Sequence, residues 1–134
     1  MSYLLGIDIG TSGTKALVCD RKGKVLATAT AEHDIASPHP GWSEQDPRQW
    51  WDATVAATKQ VVKKAKIDGK KISGIGLSGQ MHGLVCLAED GPETADPLRP
   101  AILWNDQRTA AECDDLEKAA GSRKKLIEMT GNRE

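Results

Sequence analysis

Three apolar runs, separated by short polar turns that contain glycine, open the chain and predict a meander of strands. Residues 4–9 are apolar on both faces, as is typical of a central strand, and the following glycines allow a tight reversal into residues 14–20. A polar turn around Gly23 then leads into residues 25–32, which also have strand character. We therefore expect three consecutive antiparallel strands.

A linker and a long helix follow the predicted meander. Residues 37–43 contain two prolines, which lack the amide proton that a strand ladder needs, so this segment is predicted to cross the surface. Asp46 followed by Pro47 is typical of a helix start. The helix is predicted to end at residues 66–69. Its predicted buried face recurs at three- and four-residue steps: Trp51, Thr54, Val55, Thr58, Val61, Val62 and Ala65.

The second half of the chain predicts a return to the sheet. Because residues 72–77 follow a long helix, we expect a strand parallel to the first, joined through a right-handed crossover, with its carboxyl end at the edge where ligands collect. We expect the turn-rich insertion 89–100 to be exposed. The remaining predicted elements are strands at 83–88 and 101–104 and helices at 109–120 and 122–129. The pattern indicates an α/β fold, a mixed sheet with an antiparallel meander and flanking helices.

Composition narrows the class of protein. A chain of 134 residues forms one domain, and its net charge of -1 with mixed signs argues against a nucleic-acid partner. No apolar run reaches the roughly 20 residues that span a bilayer, and the amino-terminal residues do not resemble a signal peptide. The three cysteines, Cys19, Cys86 and Cys113, are odd in number and widely spaced, which favours reduced thiols. These features predict a cytoplasmic protein without a membrane partner.

The end of the first strand gathers groups that suit a phosphate and its metal ion. Asp8 lies among apolar residues, where an ionised carboxylate is costly without a cation or several donors. Hydrated magnesium beside nucleotide phosphates would stabilise it, although capping of the next turn explains Asp8 alone equally well. The following residues favour the phosphate, because small residues expose backbone amides and a lysine adds positive charge. They are Gly10, Thr11, Ser12, Gly13, Thr14 and Lys15.

Two later clusters suit a polyhydroxylated ligand. Between Gly79 and Gly83, Gln80 and His82 offer donors and acceptors to hydroxyl groups, and Met81 packs or shapes the pocket floor. Alternatively, His82 is a structural histidine whose hydrogen bonds are made within the protein. In the second cluster, Trp104 offers an apolar wall and Asp106 can accept bonds from two neighbouring hydroxyls. The alternative there is a helix N-cap formed by Asn105 or Asp106.

Four segments in order resemble the motifs of the FGGY carbohydrate kinases, and specifically of the xylulokinases. They are DIGTSGTK at 8–15, WSEQDP at 42–47, GLSGQMHG at 76–83 and RPAILWND at 99–106. The first motif is shared across the actin-like and hexokinase-like ATPases, whereas the Gly-Gln-Met-His-Gly loop favours the xylulokinases over the glycerol kinases. The resemblance covers nearly the whole chain.

The resemblance implies a ribonuclease-H-like domain, ATP and Mg²⁺ as cofactors, and phosphorylation of D-xylulose to D-xylulose 5-phosphate. By motif, Met81 and His82 would contact the sugar, Asp106 would bind its hydroxyls, and Asp8 would lie near the metal and phosphates. The family's general-base aspartate lies well downstream, and a second domain supplies most of the adenine pocket; this sequence contains neither. We therefore expect residues 1–134 to be a partial N-terminal domain that is inactive, or nearly so, without the missing C-terminal part.

The sequence leaves other functions open. One alternative is a sugar-binding or regulatory module that lacks catalysis, and another is a kinase for a different pentulose or a polyol. A third is a truncated product without a role of its own. The oligomeric state is also open, a homo-oligomer included. The kinase interpretation requires that Asp8 and His82 open onto a common crevice, because phosphoryl transfer needs both substrates in one place.

Overall fold

The computed structural model describes residues 2–88 and 96–131. The main sheet consists of β1 (Tyr3–Ile9), β2 (Gly13–Asp20), β3 (Val25–Glu32) and β5 (Ile72–Gly79). Between β3 and β5 lie β4 (Glu44–Gln45), α1 (Pro47–Ala65) and a short 3-10 turn (Gly69–Lys71). The elements after β5 are β6 (Ala101–Ile102), α2 (Ala110–Ala120) and α3 (Arg123–Thr130).

The main sheet has the strand order β3-β2-β1-β5. β1, β2 and β3 pair antiparallel in sequence, and β5 pairs parallel to β1. The predicted meander and the predicted parallel return are therefore both confirmed. The parallel pairing places the ends of β1 and β5 together, with Ile9 opposite Gly79.

The helix α1 has the predicted boundaries, and its buried face agrees in part with the prediction, since Val61 is buried and Val62 and Ala65 pack against the core. The Asp46 carboxylate accepts a hydrogen bond of 2.9 Å from the Arg48 amide, and the helix stops where Lys66 adopts a left-handed conformation. Its buried residues are Ala53, Ala57 and Val61. The prediction that Trp51 fills the core is wrong, since Trp51 is 68% exposed.

Small side chains explain this difference on α1. The helix packs against β2 and β3, where it covers a core that includes Leu5, Ile7, Ala16, Val18 and Ala29. The alanines at the contact leave room for the backbone to approach the sheet closely, whereas the indole of Trp51 would hold it away. The prediction chose Trp51 because it is the larger and more hydrophobic side chain.

The predicted strands of the second half are shorter than expected. Residues 83–88 form no strand and make only isolated bridges, Leu84 to Ile102 and Leu87 to Pro97. The predicted strand 101–104 is limited to β6, which pairs antiparallel with β4 and not with the main sheet. Within the predicted insertion 89–100, residues 89–95 lie outside the described residues, and Leu98 is exposed.

One part of the sheet is left uncovered by the described residues. β5 lies at the edge of the sheet, and its register places Ile75 beside Leu5 and Leu77 beside Ile7, on the face that α1 covers elsewhere. Ile75 is nevertheless 63% exposed and Leu77 is 75% exposed, because α1 lies over β2 and β3. α2 and α3 pack against each other and bury no residue fully. None of the helices described has the length and apolarity of a membrane span.

Candidate functional site

The turn that joins β1 to β2, residues 10–13, is held from several directions. The Gly10 amide donates to the Gly13 carbonyl at 3.0 Å, and the His33 amide donates to the Ser12 carbonyl at 3.3 Å. The Thr11 carbonyl accepts a bond of 2.7 Å from the Gln45 side chain. The turn is therefore a fixed feature of the fold, as a preorganised anion site requires.

Asp8 and Lys15 lie across from each other on β1 and β2, next to this turn. Both are exposed and line an open cavity of about 430 Å³, together with Gly76 and Ser78 of β5. The Thr14 side chain is wholly buried, so its hydroxyl faces the core and only its backbone adjoins the turn. This cavity presents one carboxylate and one ammonium group to solvent.

The loop after β5, residues 79–83, is attached directly to the end of β1. The Gln80 amide donates to the Ile9 carbonyl at 2.8 Å, and a side chain on Gly79 would bring its Cβ to 3.0 Å from the same oxygen. His82 adopts a left-handed backbone conformation with φ of 60°. Close approach of the two segments therefore fixes the position of the loop.

His82 and Gln80 line a cavity of about 270 Å³ with Trp50 and Ile9. The Gln80 side-chain amide donates to the Gln45 oxygen at 3.0 Å, while its own Oε1 is buried and has no hydrogen-bond partner within the described residues. Trp50 adds an aromatic wall of the kind that sugar rings contact. Met81 is exposed beside the cavity and does not line it.

Asp8 and His82 open onto neighbouring cavities. Ser78 lines both the cavity of Asp8 and that of His82, and it is the only residue that they share among those described. The ends of β1 and β5 therefore present two adjoining openings where the sequence led us to expect one crevice. Trp104 is exposed near the 10–13 turn, with its indole N–H 3.4 Å from the Thr11 hydroxyl, and does not line the cavity of His82.

Asp106 has a different environment from the one expected of a sugar ligand. Its carboxylate is 2% exposed; one oxygen accepts bonds from the Arg108 amide and Nε, and the other accepts from Arg108 Nη2 and the Ser43 amide. The Arg108 guanidinium and the Ser43 amide hold the pKa of Asp106 well below its ordinary value. All acceptor positions are filled, so a sugar hydroxyl would have to displace Arg108.

The alternative prediction, a helix N-cap formed by Asn105 or Asp106, is wrong. α2 begins at Ala110 after Thr109, and neither Asn105 nor Asp106 occupies the N-cap. The Asp106 carboxylate instead accepts a hydrogen bond from the amide of Arg108, two residues later in the chain.

Arg108 joins two distant segments of the chain. Besides Asp106, its guanidinium contacts the Glu44 carboxylate at 2.8 Å and lies 3.6 Å from the centre of the Trp42 ring. Arg99 also bonds to Glu44, at 2.9 Å. Trp42 therefore anchors the proline-rich linker to this ion cluster.

Sequence reasoning missed Gln45 and Trp50. Gln45 is 2% exposed and contacts both site loops, while Trp50 donates its indole N–H to Gln45 at 2.9 Å. Nothing adjacent in sequence signals this role, because the partners of Gln45 include Thr11 and Gln80, which lie 34 and 35 residues away.

Known proteins that are similar to this chain include sugar kinases. The sequence model of the N-terminal domain of the FGGY family of carbohydrate kinases matches residues 3–133. A xylulose kinase from Klebsiella pneumoniae is 45% identical over 96% of this chain and 25% of its own length. A crystal structure of a "xyloylose kinase" from Brucella ovis has a TM-score of 0.84 at 42% identity, covering 98% of this chain and 26% of that one.

The comparisons also show the extent of the likeness. A glycerol kinase from Chromobacterium violaceum is 36% identical over 96% of this chain and 25% of its own length, so similarity is not limited to xylulose kinases. The chain spans about a quarter of the length of the curated relatives that it matches. Its mixed sheet has the fold of the actin- and hexokinase-like ATPases, which these sugar kinases share. With the family model matching nearly every residue, the chain belongs to the FGGY family of carbohydrate kinases.

Proposed function

We propose that this chain supplies the sugar-binding side of the cleft in an ATP-dependent kinase that converts D-xylulose to D-xylulose 5-phosphate. The observation that carries this proposal is the attachment of the 79–83 loop to the 10–13 turn. Gln80 bonds to the end of β1, and Gln45 contacts both segments. The groups that we propose bind phosphate and polyol are therefore at the same end of the sheet, on two adjoining cavities that share Ser78.

Each group has a separate task in this proposal. His82 and Gln80 bind sugar hydroxyls beside Trp50, with Met81 at the rim. The backbone amides of the 10–13 turn and the Lys15 ammonium bind ATP phosphates. Trp104 contacts the 10–13 turn through the Thr11 hydroxyl, and Asp106 holds the linker through the Ser43 amide.

The residues present fit a hydrated magnesium ion. No group of three metal-binding side chains occurs among the described residues, and Asp8 is a single exposed carboxylate. Mg²⁺ keeps several waters and is commonly held by one or two carboxylates and substrate phosphates, so Asp8 would hold the ion through water. When bound with ATP, the ion neutralises charge on the phosphoryl group being transferred.

We also propose that residues 1–134 are a partial N-terminal domain and have no turnover alone. The chain is about a quarter as long as its relatives, and Leu77 on β5 is exposed where a further element would cover it. Kinases of this type position both substrates by closing two domains, so one side of the cleft binds weakly and does not complete the reaction. A cytoplasmic location is part of the same proposal.

A hybrid enzyme tests this function. Residues 1–134 replace the matching quarter of the Klebsiella pneumoniae xylulose kinase, and ADP formation is measured with D-xylulose and with glycerol. We expect turnover with D-xylulose in the hybrid, loss of turnover in the Asp8→Asn hybrid, and none with the 134-residue chain. A folded hybrid without D-xylulose turnover would contradict the proposal, and a preference for glycerol would favour the polyol alternative.

A sugar-binding module without catalysis is the second candidate. It is favoured because residues of this chain alone form the cavity around His82. Calorimetric titration of the chain with D-xylulose should then give saturable heat that His82→Ala abolishes. The matched control is His39→Ala, since His39 contacts the Trp42 ring and does not line the cavity. Absence of saturable heat, or equal heat in both variants, excludes the module.

A further inference from the structure

The side-chain amide of Gln45 is buried, and both its nitrogen and its oxygen make hydrogen bonds. Its Nε2 donates to the Thr11 carbonyl at 2.7 Å and the Asp34 carbonyl at 3.1 Å, and it lies 3.1 Å from His33 Nδ1. Its Oε1 accepts bonds from the Trp50 indole at 2.9 Å and the Gln80 side chain at 3.0 Å. The two carbonyls on one side and the indole donor on the other fix the orientation of the amide.

The partners of Gln45 belong to the two halves of the site. Thr11 lies in the phosphate-side turn, whereas Gln80 and Trp50 line the sugar-side cavity. No other side chain among the described residues has a hydrogen bond to both of these segments. Because the amide is 2% exposed, water cannot easily replace either set of bonds.

We propose that Gln45 is a positioning residue that fixes the 10–13 turn relative to the 79–83 loop. Its amide acts as a rigid spacer: the nitrogen sets the turn through Thr11, and the oxygen sets the loop through Gln80. The distance between the phosphate donor and the sugar hydroxyl would thereby be kept constant. This role rests on the proposed function, although the structural link itself does not.

The link is measured in the 134-residue chain by a double-mutant cycle followed by NMR. Gln80→Ala should shift the backbone amide resonances of the 10–13 turn, because Gln45 loses one partner and readjusts at Thr11. In a Gln45→Met background, the same Gln80 change should leave the turn resonances unmoved. Shifts of equal size in both backgrounds, or no shift in either, would overturn the link.

A second variant tests the nitrogen and the oxygen of the amide separately. It also provides the test if Gln45→Met does not fold. Gln45→Glu keeps an oxygen for Trp50 and Gln80 but places an acceptor opposite the Thr11 carbonyl. It should therefore move the turn resonances and leave the Trp50 indole resonance close to its original position. The control Gln49→Met removes a nearby amide that bonds to the Asp34 amide and contacts neither site loop, and it should move neither.

Kinetics of the hybrid enzyme test whether the link positions the substrates. Gln45→Glu should lower kcat about 100-fold, the loss that follows a misplacement of about 1 Å, with little change in the KM for D-xylulose. Gln49→Met should retain the original kcat. An unchanged kcat in Gln45→Glu would overturn the positioning role. If the unsubstituted hybrid were inactive, the proposed function would fail, and the NMR cycle would still decide whether Gln45 joins the two loops.

Discussion

Gly13 at the start of β2 provides a test of how closely β2 and β3 approach beside the site. A Cβ on Gly13 would lie 2.8 Å from the Ala31 carbonyl oxygen and 3.2 Å from the Glu32 Cα. Ordinary contacts of a Cβ begin near 3.4 Å, so the alanine is short of space by several tenths of an ångström. Both obstructing atoms are backbone, which cannot move aside as a flexible side chain can.

We expect Gly13→Ala to lower the free energy of unfolding by about 1–3 kcal/mol, the usual cost of forcing extra volume into a packed site. Gly76 is the matched control, because it is also a strand glycine and a Cβ there would meet nothing within 4 Å. Gly76→Ala should raise stability by about 0.4–1 kcal/mol, since it removes freedom from the unfolded chain only. The two identical substitutions should therefore have opposite signs.

Urea unfolding followed by tryptophan fluorescence measures both variants. Each kcal/mol should also move the melting temperature by roughly 2–8 °C for a domain near this size. If Gly13→Ala were neutral or stabilising, β3 would yield without cost, and the reasoning from close approach would be refuted. Displacement of β3 should also weaken the bond between the His33 amide and the Ser12 carbonyl that holds the turn.

Three further results are expected. Trp50→Phe keeps the aromatic wall but loses the bond to Gln45, so D-xylulose affinity in the hybrid should fall by about 0.5–1.5 kcal/mol, whereas Trp51→Phe should leave it unchanged. Asp106 has a lowered pKa, so its contribution to stability is present above its ordinary pKa and is lost as the pH falls. Asp106→Asn should therefore reduce the free energy of unfolding at neutral pH and make it depend less on acid, as measured by urea unfolding. Burial lowers the pKa of His33, so unfolding free energy should fall as pH drops below about 6.5, and His33→Gln should flatten that slope.

The parts of the fold that sequence predicted correctly depend on local chemistry. Glycine turns define the meander, and Asp46 with Pro47 defines the start of α1, because these residues restrict the backbone wherever they occur. The parallel return of β5 followed from the length of the intervening helix. Each of these inferences needs only residues near in sequence.

The parts that were missed depend on distant partners. The buried face of α1 was decided by the closeness of the sheet, which favoured Ala53 and Ala57 over Trp51. The carboxylate of Asp106 was expected to be available because nothing adjacent in sequence shows that the Ser43 amide occupies it. Gln45 contacts Thr11, His33, Asp34 and Gln80, all more than ten residues away, and no local pattern distinguishes such a residue from a solvated glutamine.

The ion cluster around Arg108 can form only late in the synthesis of the chain. The Ser43 amide and Asp106 are 63 residues apart, so the ribosome completes the linker well before its partner exists. At about 5–20 residues per second, that interval is roughly 3–13 seconds. Glu44 lacks both arginines until residue 99 is added, and Trp42 lacks the Arg108 guanidinium until residue 108 is added. A nascent chain that stalls before residue 108 should therefore expose the linker to proteases, whereas a chain released after it should not.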